Sequence, residues 1–541
     1  MDNPITLKRP AVRRYLVPIN TAATQQLFTD CLIIGAGVAG LRSAIEAADG
    51  GCEVVIVCKK TLEDSNTWNA QGGIASVLAK EDTFESHVED TLTTGCGIND
   101  IDVVNRVVKD GPELIRQLAD WGTEFDTVKG KIDVTLEGGH SHARIAHAQG
   151  DCTGRAIAQA LIRKVQTIPN ITTIKNFFVI DLITNDNNEC LGVIGQAANG
   201  QNQIIWAKTV ILATGGAGRL YRETTNPESA TADGLAMAVR AGAVLRDMEF
   251  MQFHPTTLYI AGASRALITE TLRGEGAVLL DVNGDKFMAQ YHPDGELAPR
   301  DIVSRAILKQ MLKTDSTHVF LDIRHFDKAY FAKRFPLISE IVTSFDIDIS
   351  KDLIPVRPSA HYMVGGVKTD ALACTNIKNL YACGEIASTG LHGANRLGSN
   401  SLLEGLVFGR IAGRQAIEQS KKPNGSVSLR KFRMDIPESD RSRLDTADVL
   451  NSLRSLMWRN VGIIRFAKPL AEAQEIISFW DRYVLDKVFD SPTGWECQNI
   501  LTVSLMMAKA AQMRTESRGT HFRDDFPQTD DTKFKTHIEF V

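Results

Sequence analysis

Five short polar stretches carry residue types that folding alone does not require. They are Gln252-Phe-His254-Pro-Thr, Thr269-Glu270-x-x-Arg273-Gly-Glu275-Gly, Ala298-Pro-Arg300-Asp301, Ser359-Ala-His361-Tyr and His392-Gly-Ala-Asn-Arg396. Singly each has an ordinary explanation: a His-Pro pair is usually a turn, and an arginine is usually a paired surface charge. Gathered around one cleft, two arginines and two histidines suit a small substrate with two carboxylates, because guanidinium grips carboxylate in bidentate fashion. A different chemistry is written at residues 31–40, where Cys-Leu-Ile-Ile runs into Gly35-x-Gly37-x-x-Gly40. Gly35 permits the tight turn, Gly37 lets backbone approach phosphate, and Gly40 lets the following helix pack on the strand. The helix start then faces an anion, so a dinucleotide pyrophosphate is expected here.

These groups need elements to hold them. The apolar run before Gly35 reads as a strand buried on both faces of a parallel sheet. A second strand at 52–57 ends in Cys58-Lys59-Lys60, where a ribose-binding acid is often found, with Glu63 and Asp64 only further on. Strand-like and helical segments alternate to about residue 247, which predicts a parallel sheet with crossover helices. Strand-and-glycine elements recur at 209–218 and 379–385, and an interruption of mixed character occupies 248–361. After a Lys-Lys-Pro-Asn-Gly breaker at 421–425 the pattern turns helical, at 444–454, 470–484 and 500–514. The expected organisation is an N-terminal extension (1–27), a nucleotide-binding α/β domain split into 28–247 and 362–422, an inserted α+β capping domain (248–361) and a C-terminal helical domain (423–541). Interfaces between such lobes are where small-molecule sites form.

Composition removes several function classes. At 541 residues the chain exceeds what one core supports, so two or three domains are expected. Hydrophobic residues at 43% and charged residues at 23% are ordinary globular values, and a net charge of −5 gives no footprint for nucleic acid. Nine scattered cysteines with no CxxC spacing support neither a zinc nor an iron–sulfur site and read as reduced thiols of a cytoplasmic protein. Lys8, Arg9, Arg13 and Arg14 precede no apolar core, so the N-terminus reads as a surface-lying or disordered extension, with a transit peptide as the alternative, rather than a secretory signal. No uncharged apolar run is long enough for a membrane span.

The combination Asn69-Ala-Gln-Gly-Gly73, Ala213-Thr-Gly-Gly216, Gln252-Phe-His-Pro255, Arg273-Gly-Glu-Gly276, Pro299-Arg-Asp301, His361-Tyr, Gly384-Glu385 and Ser399-Asn-Ser-Leu402 resembles the flavoprotein family of succinate dehydrogenase, fumarate reductase and L-aspartate oxidase. The resemblance runs from about residue 28 to the Thr515–His521 stretch. It implies an FAD-binding Rossmann-like domain, a cap over the flavin and a helical C-terminal domain. Five residues before Gln71, where the membrane-complex members carry a flavin-linked histidine, this chain has Asn66, which implies non-covalent FAD. Leu136-Glu-Gly-Gly-His-Ser-His-Ala-Arg144 and Met457-Trp-Arg-Asn-Val-Gly-Ile-Ile-Arg465 resemble the aspartate-oxidising branch. A carboxylate at Glu137 makes sense where the substrate carries an ammonium besides its two acids.

Carried over residue by residue, the resemblance implies a proton-transferring Arg300. His361 and Arg396 would grip one carboxylate, His254 and Thr269 the other, with Glu270 and Glu275 orienting these cations. It implies that Ala36, Gly37, Val38 and Ala39 face the pyrophosphate and that Lys59 approaches the adenosine end. Asn66, Thr67, Trp68, Asn69, Ala70, Gln71, Gly72 and Gly73 would wrap the flavin. Phe178 and Val179 would line the adenine pocket, and Asp233, Glu385, Ser401 and Leu402 would complete the site. The implied reaction is oxidation of L-aspartate with O2 or fumarate as acceptor, with functional coupling to quinolinate synthase in NAD biosynthesis. The alternative is a soluble fumarate reductase or succinate dehydrogenase flavoprotein subunit; a non-catalytic flavin-binding module is a more distant one.

Overall fold

The apolar strand Gln25–Ile34 pairs in parallel with Val54–Val57 on one side and with Asn202–Leu212 on the other. Ile171–Ile174 extends this parallel sheet beyond Val54–Val57, and Leu380–Ala382 returns from far along the chain to pair with the end of Asn202–Leu212. That return is why the domain is split in sequence. The computed structural model describes residues 3–263, 265–422, 431–437 and 439–541. Residues 423–425 of the breaker, and with them the start of the expected C-terminal domain, lie outside the described residues. Helix Val38–Asp49 follows the glycine turn and packs on helix Asn400–Ser420. Gly405 and Gly409, one turn apart on the latter, allow this: a Cβ at Gly409 would stand 2.6 Å from the Ala39 carbonyl oxygen.

Not all of the sheet is parallel, contrary to the expectation from alternating segments. Phe178–Thr184, Cys190–Gln196 and the first half of Asn202–Leu212 form an antiparallel meander. The connections at 185–189 and 197–201 are too short for a crossover and can only reverse the chain. Asn188 and Gly200 adopt the positive φ (56° and 79°) that such turns require.

The cap is a four-stranded antiparallel sheet in the order Met251–Leu258, Ile354–Met363, Val319–Asp322, Val278–Leu280. Helices Arg300–Lys313, Lys328–Arg334 and Pro336–Ser344 accompany it. It has its own apolar core, including Leu258, Leu279, Ile307, Phe331 and Val356. The two long strands, Met251–Leu258 at the edge and Ile354–Met363 beside it, link the cap to the base and bring His254 opposite Ser359 in the ladder, two residues from His361.

The C-terminal helices Thr446–Asn460, Ala467–Val484 and Pro492–Met513 are longer than the periodicity suggested. Pro492 opens the last, where a proline's missing N–H costs nothing. Trp495 and Leu501 share one apolar cluster with Phe178, Ile180 and Leu235, so these helices close the base rather than enclose a core of their own. The architecture is an α/β Rossmann-like domain split in sequence, an inserted α+β cap and a C-terminal set of helices. Among the described residues no helix is long and apolar enough to cross a membrane.

The N-terminus corrects the reading of 1–27 as an extension. Ile5–Leu7 pairs in parallel with the last strand, Ile538–Phe540, which pairs antiparallel with Leu245–Arg246. Leu16, Val17 and Ile19 are buried, the Leu16 N–H donates to Asp181 at 2.7 Å, and Arg14 donates to the Leu182 carbonyl at 2.7 Å. Arg13 and Arg14 suggested a solvated arm because their partners, backbone oxygens and the Thr184 hydroxyl, are remote in sequence. Burying Leu16 and Val17 contributes about 1.5–3 kcal/mol each. Deleting residues 1–18 is therefore expected to lower the stability of the whole chain by about 3 kcal/mol or more, read as a fall in thermal midpoint; an unchanged midpoint would restore the extension reading.

Candidate functional site

A cavity of about 1050 Å³ runs between base and cap. Gly35 to Ala39, Lys59, Asn66 to Gln71, Phe178, Val179, Asp233, Glu385, Ser401 and Leu402 line it. Gly40, Gly72 and Gly73 do not. A Cβ on Gly40 would meet the Gly35 carbonyl oxygen at 2.1 Å, and one on Gly73 would meet Ala146 O at 2.5 Å, so these two serve close packing. Around Gly72 there is open space, with Ser399 Oγ at 3.8 Å from a built Cβ.

The cradle is chemically unfinished in the way a pyrophosphate-bearing cofactor would complete. Helix Val38–Asp49 starts at Gly37, which has no side chain to cap it, and carries no acid in its first turn; the Thr67 hydroxyl takes the Val38 N–H at 3.0 Å, and no charge offsets the positive end. Gly35 sits at φ +112°, and a Cβ there would lie 2.2 Å from Ala213 O. Buried polar atoms on the cavity residues Asp64 (Oδ2), Gln71 (Oε1) and Thr214 (Oγ1) have no protein partner. The acid missing at the end of strand Val54–Val57 arrives from elsewhere. Lys59 Nζ donates to Thr231 at 2.7 Å and Asp233 at 2.9 Å, and pairs with Glu496 of the last long helix. Glu496 carries no local signal, because its role depends on a contact between chain segments over 400 residues apart.

The substrate-side residues converge. Gln252 Oε1 accepts from Arg396 Nε at 3.2 Å and from Arg300 at 3.4 Å, so one amide joins the two guanidinium groups. Arg300 Nε donates to Glu270 at 2.5 Å, and Arg273 pairs with the other oxygen of that carboxylate at 3.3 Å. Arg396 donates to Ser401 at 2.7 Å and lies 4.3 Å over the Tyr362 ring. The His254 and His361 rings are 5.2 Å apart. His254 Nδ1 faces the Thr256 carbonyl and His361 Nδ1 faces Thr225 Oγ1, which leaves Nε2 of each ring for a ligand.

Burial sets the charges. It pushes both histidines well below their ordinary range, aided by Arg300 near His254 and by Arg396 near His361, so both are neutral donors or acceptors. Burial and then Arg300 bring Arg396 down to about 10. Burial alone would raise Glu270, but Arg300 and Arg273 outweigh it and hold its carboxyl below the usual value. Glu385, hydrogen-bonded by Asn66 at 2.9 Å and the Met363 N–H at 3.0 Å, is pushed up to about 7 by burial.

Glu137 is 4% exposed. Its carboxylate accepts from Thr271 Oγ1 at 2.9 Å and from Ser399 Oγ at 3.0 Å, with His147 at 3.8 Å. It meets Arg300 over Gly398, whose built Cβ would be 3.3 Å from the guanidinium and 3.8 Å from Glu137 Oε2. Burial, then Glu270, raises its pKa against the pull of Arg300 and the two hydroxyls.

Glu275 corrects the expectation. It pairs with Arg334 at 3.0 Å and accepts from Tyr330 at 3.0 Å, on the outer side of the cap. Five residues beyond Glu270 on a helical turn is roughly 140° around the axis, so the two acids face apart. Thr269 is buried and reaches the rest of the site through Thr271 Oγ1 at 3.2 Å. Gln252, Thr271, Tyr362 and Ser399 were within the motifs but given no role; hydroxyls and amides give a weaker sequence signal than charges.

Residues 30–402 match the FAD binding domain family, and residues 450–540 match the fumarate reductase flavoprotein C-terminal family. An L-aspartate oxidase of Streptomyces coelicolor is 39% identical, over 94% of this chain and 90% of the relative. L-aspartate oxidase 1 of Ralstonia nicotianae is 41% identical, over 92% and 96%. Among solved structures, the quinol fumarate reductase of E. coli superposes with a TM-score of 0.85 at 33% identity, covering 95% of this chain and 94% of that one.

The arginine pair generates a direct test. Arg396→Leu is expected to weaken succinate binding about ten-fold or more, the worth of one charge-assisted contact. Titration of the flavin absorbance measures this, and an unchanged dissociation constant would remove Arg396 from the site.

Proposed function

The chain belongs to the L-aspartate oxidases, within the flavoprotein family of succinate dehydrogenase and fumarate reductase, and on that premise we propose how its residues oxidise L-aspartate to iminoaspartate. The observation that carries the proposal is Glu137, a buried acid beside a clamp of two guanidinium groups and two imidazoles. A plain dicarboxylate gives this acid nothing to bind. Aspartate brings an ammonium, and an arriving cation favours the charged form that burial and Glu270 disfavour.

Arg396 and His361 take one carboxylate, and His254 and Thr269 take the other. The neutral histidines contribute direction and the arginine contributes charge. With both ends gripped, the C–H bond to be broken has one orientation in a pocket that excludes water, and positioning of this kind supplies much of an enzyme's acceleration. FAD bound in the cradle supplies the two-electron acceptor for the hydride. Arg300 is the proton-transferring group, and Glu270, between Arg300 and Arg273, orients the two guanidinium groups. The amide at Asn66 offers no nucleophilic nitrogen, so the cofactor is held without a covalent bond. The N-terminus of helix Asn400–Ser420, with Ser401 on the cavity wall, favours negative charge on the reduced cofactor.

O2, yielding hydrogen peroxide, or fumarate takes the electrons afterwards. Iminoaspartate is the substrate expected by quinolinate synthase, which puts the chain at the start of NAD biosynthesis in the cytoplasm.

Anaerobic mixing with L-aspartate is expected to bleach the flavin absorbance, while D-aspartate and succinate leave it oxidised or nearly so. No bleaching with L-aspartate would overturn the proposal. Glu137→Gln should impair aspartate oxidation about ten-fold or more beyond any effect on fumarate reduction; equal losses in kcat/KM on both substrates would refute the ammonium role.

A further inference from the structure

The donors that hold Glu137 come from different domains. Glu137 itself sits in the base, on the connection between strands Val134–Thr135 and Ile145–Ala146. Ser399, also of the base, is the residue before helix Asn400–Ser420 and is held at φ +62°, a conformation a serine seldom adopts. Thr271 opens the short helix Thr271–Gly274 of the cap. Among the described residues, the cap's hydrogen bond to the Glu137 carboxylate is the one from Thr271. A hydroxyl has one proton to give. Since Thr271 gives it to Glu137, its oxygen is left to accept, and Thr269, 3.2 Å away, has one proton that it turns to Thr271 in this structure and to a substrate carboxylate when one is bound. The residue assigned to a substrate carboxylate is thereby a neighbour of the residue that orients Glu137.

We propose that Thr271 is a specificity-determining positioning residue: carried on the cap, it completes and orients the Glu137 carboxylate only when the cap is seated, and so ties recognition of the substrate amine to closure. This rests on the aspartate-oxidising reading above. The neighbouring contacts agree with a close seat. A Cβ on Gly138, the residue after Glu137, would lie 2.6 Å from Glu270 Oε1 of the cap. On the other side Asp151 of the base accepts the N–H groups of Leu337 and Ile338 at 2.9 Å each, at the start of cap helix Pro336–Ser344.

The charged and titratable groups facing Glu137 are Glu270, Arg300 and Arg273 from the cap and His147 from the base. His147 is brought down to about 4 by burial and by Arg334, and is neutral across the working range. The hydroxyls of Thr271 and Ser399 donate to the charged form of Glu137 and lower its pKa. Removing one donor raises that pKa, so the acid-side limb of aspartate kcat/KM must move to higher pH.

The test is Thr271→Val, which keeps shape and removes the donor, compared with Thr271→Ser, which keeps the donor. Holoenzyme variants are assayed for aspartate oxidation and for fumarate reduction across pH. Thr271→Val is expected to lower the ratio of kcat/KM for aspartate to that for fumarate by about ten-fold and to shift the acid limb upward, and Thr271→Ser to restore both. In a Glu137→Gln background Thr271→Val should change the ratio no further. A ratio and limb unchanged by Thr271→Val, or losses equal on both substrates with no limb shift, would overturn the inference. Should the valine variant fail to hold flavin, Thr271→Ala is read by the same criteria. Failure of the wild-type enzyme to oxidise L-aspartate would instead overturn the underlying reading.

Discussion

Two guanidinium groups, Arg300 and Arg396, stand side by side in a pocket from which water is largely excluded, and they repel each other. The cost shows in Arg396, brought down to about 10 by burial and by its neighbour. Much of the surrounding structure bears that cost. Gln252 turns one oxygen to both groups, Glu270 faces Arg300, and the Tyr362 ring and Ser401 flank Arg396. The repulsion is incompletely cancelled, and a dianion is the ligand that cancels it. A pocket of this kind is preorganised by strain between like charges that the ligand relieves.

Such an arrangement cannot be made by one domain. Arg300 belongs to the cap and Arg396 to the base, so the clamp exists only where the two lobes meet. The linking strands Met251–Leu258 and Ile354–Met363 serve as rails between them, and both carry site residues: Gln252 and His254 on one, His361 and Tyr362 on the other. The cap keeps its own apolar core, while the C-terminal helices merge theirs with the base.

How much of this was legible in the sequence follows from range. Gly35 to Gly40 work within one turn, so their spacing announced strand, turn and helix. His254, Arg300, His361 and Arg396 were visible as charged or aromatic groups in stretches that folding did not demand, and the structure gathers them. The antiparallel meander at 178–212 was hidden because alternating apolar segments look alike whether the next strand runs with or against its neighbour. The N-terminal strand was hidden because its partner, Ile538–Phe540, lies at the other end of the chain. Glu275 misled for a local reason: it shares a motif with Glu270 but faces the opposite side of its turn.

The two acids of the pocket, Glu270 and Glu137, are both fully enclosed and yet drawn in opposite directions. Glu270 lies between two guanidinium groups, which hold its charge firmly on. Glu137 meets one of them at longer range, across Gly398, and has hydroxyls rather than cations as its close partners. Its burial is therefore undercompensated. An acid left short of positive charge beside a clamp that has positive charge to spare defines a ligand with two negative ends and one positive group. Succinate satisfies the clamp alone; an amino dicarboxylate satisfies both. On the reading proposed above, the loop after strand Val134–Thr135 is where this chain would tell an amino dicarboxylate from a plain one, through the buried carboxylate of Glu137.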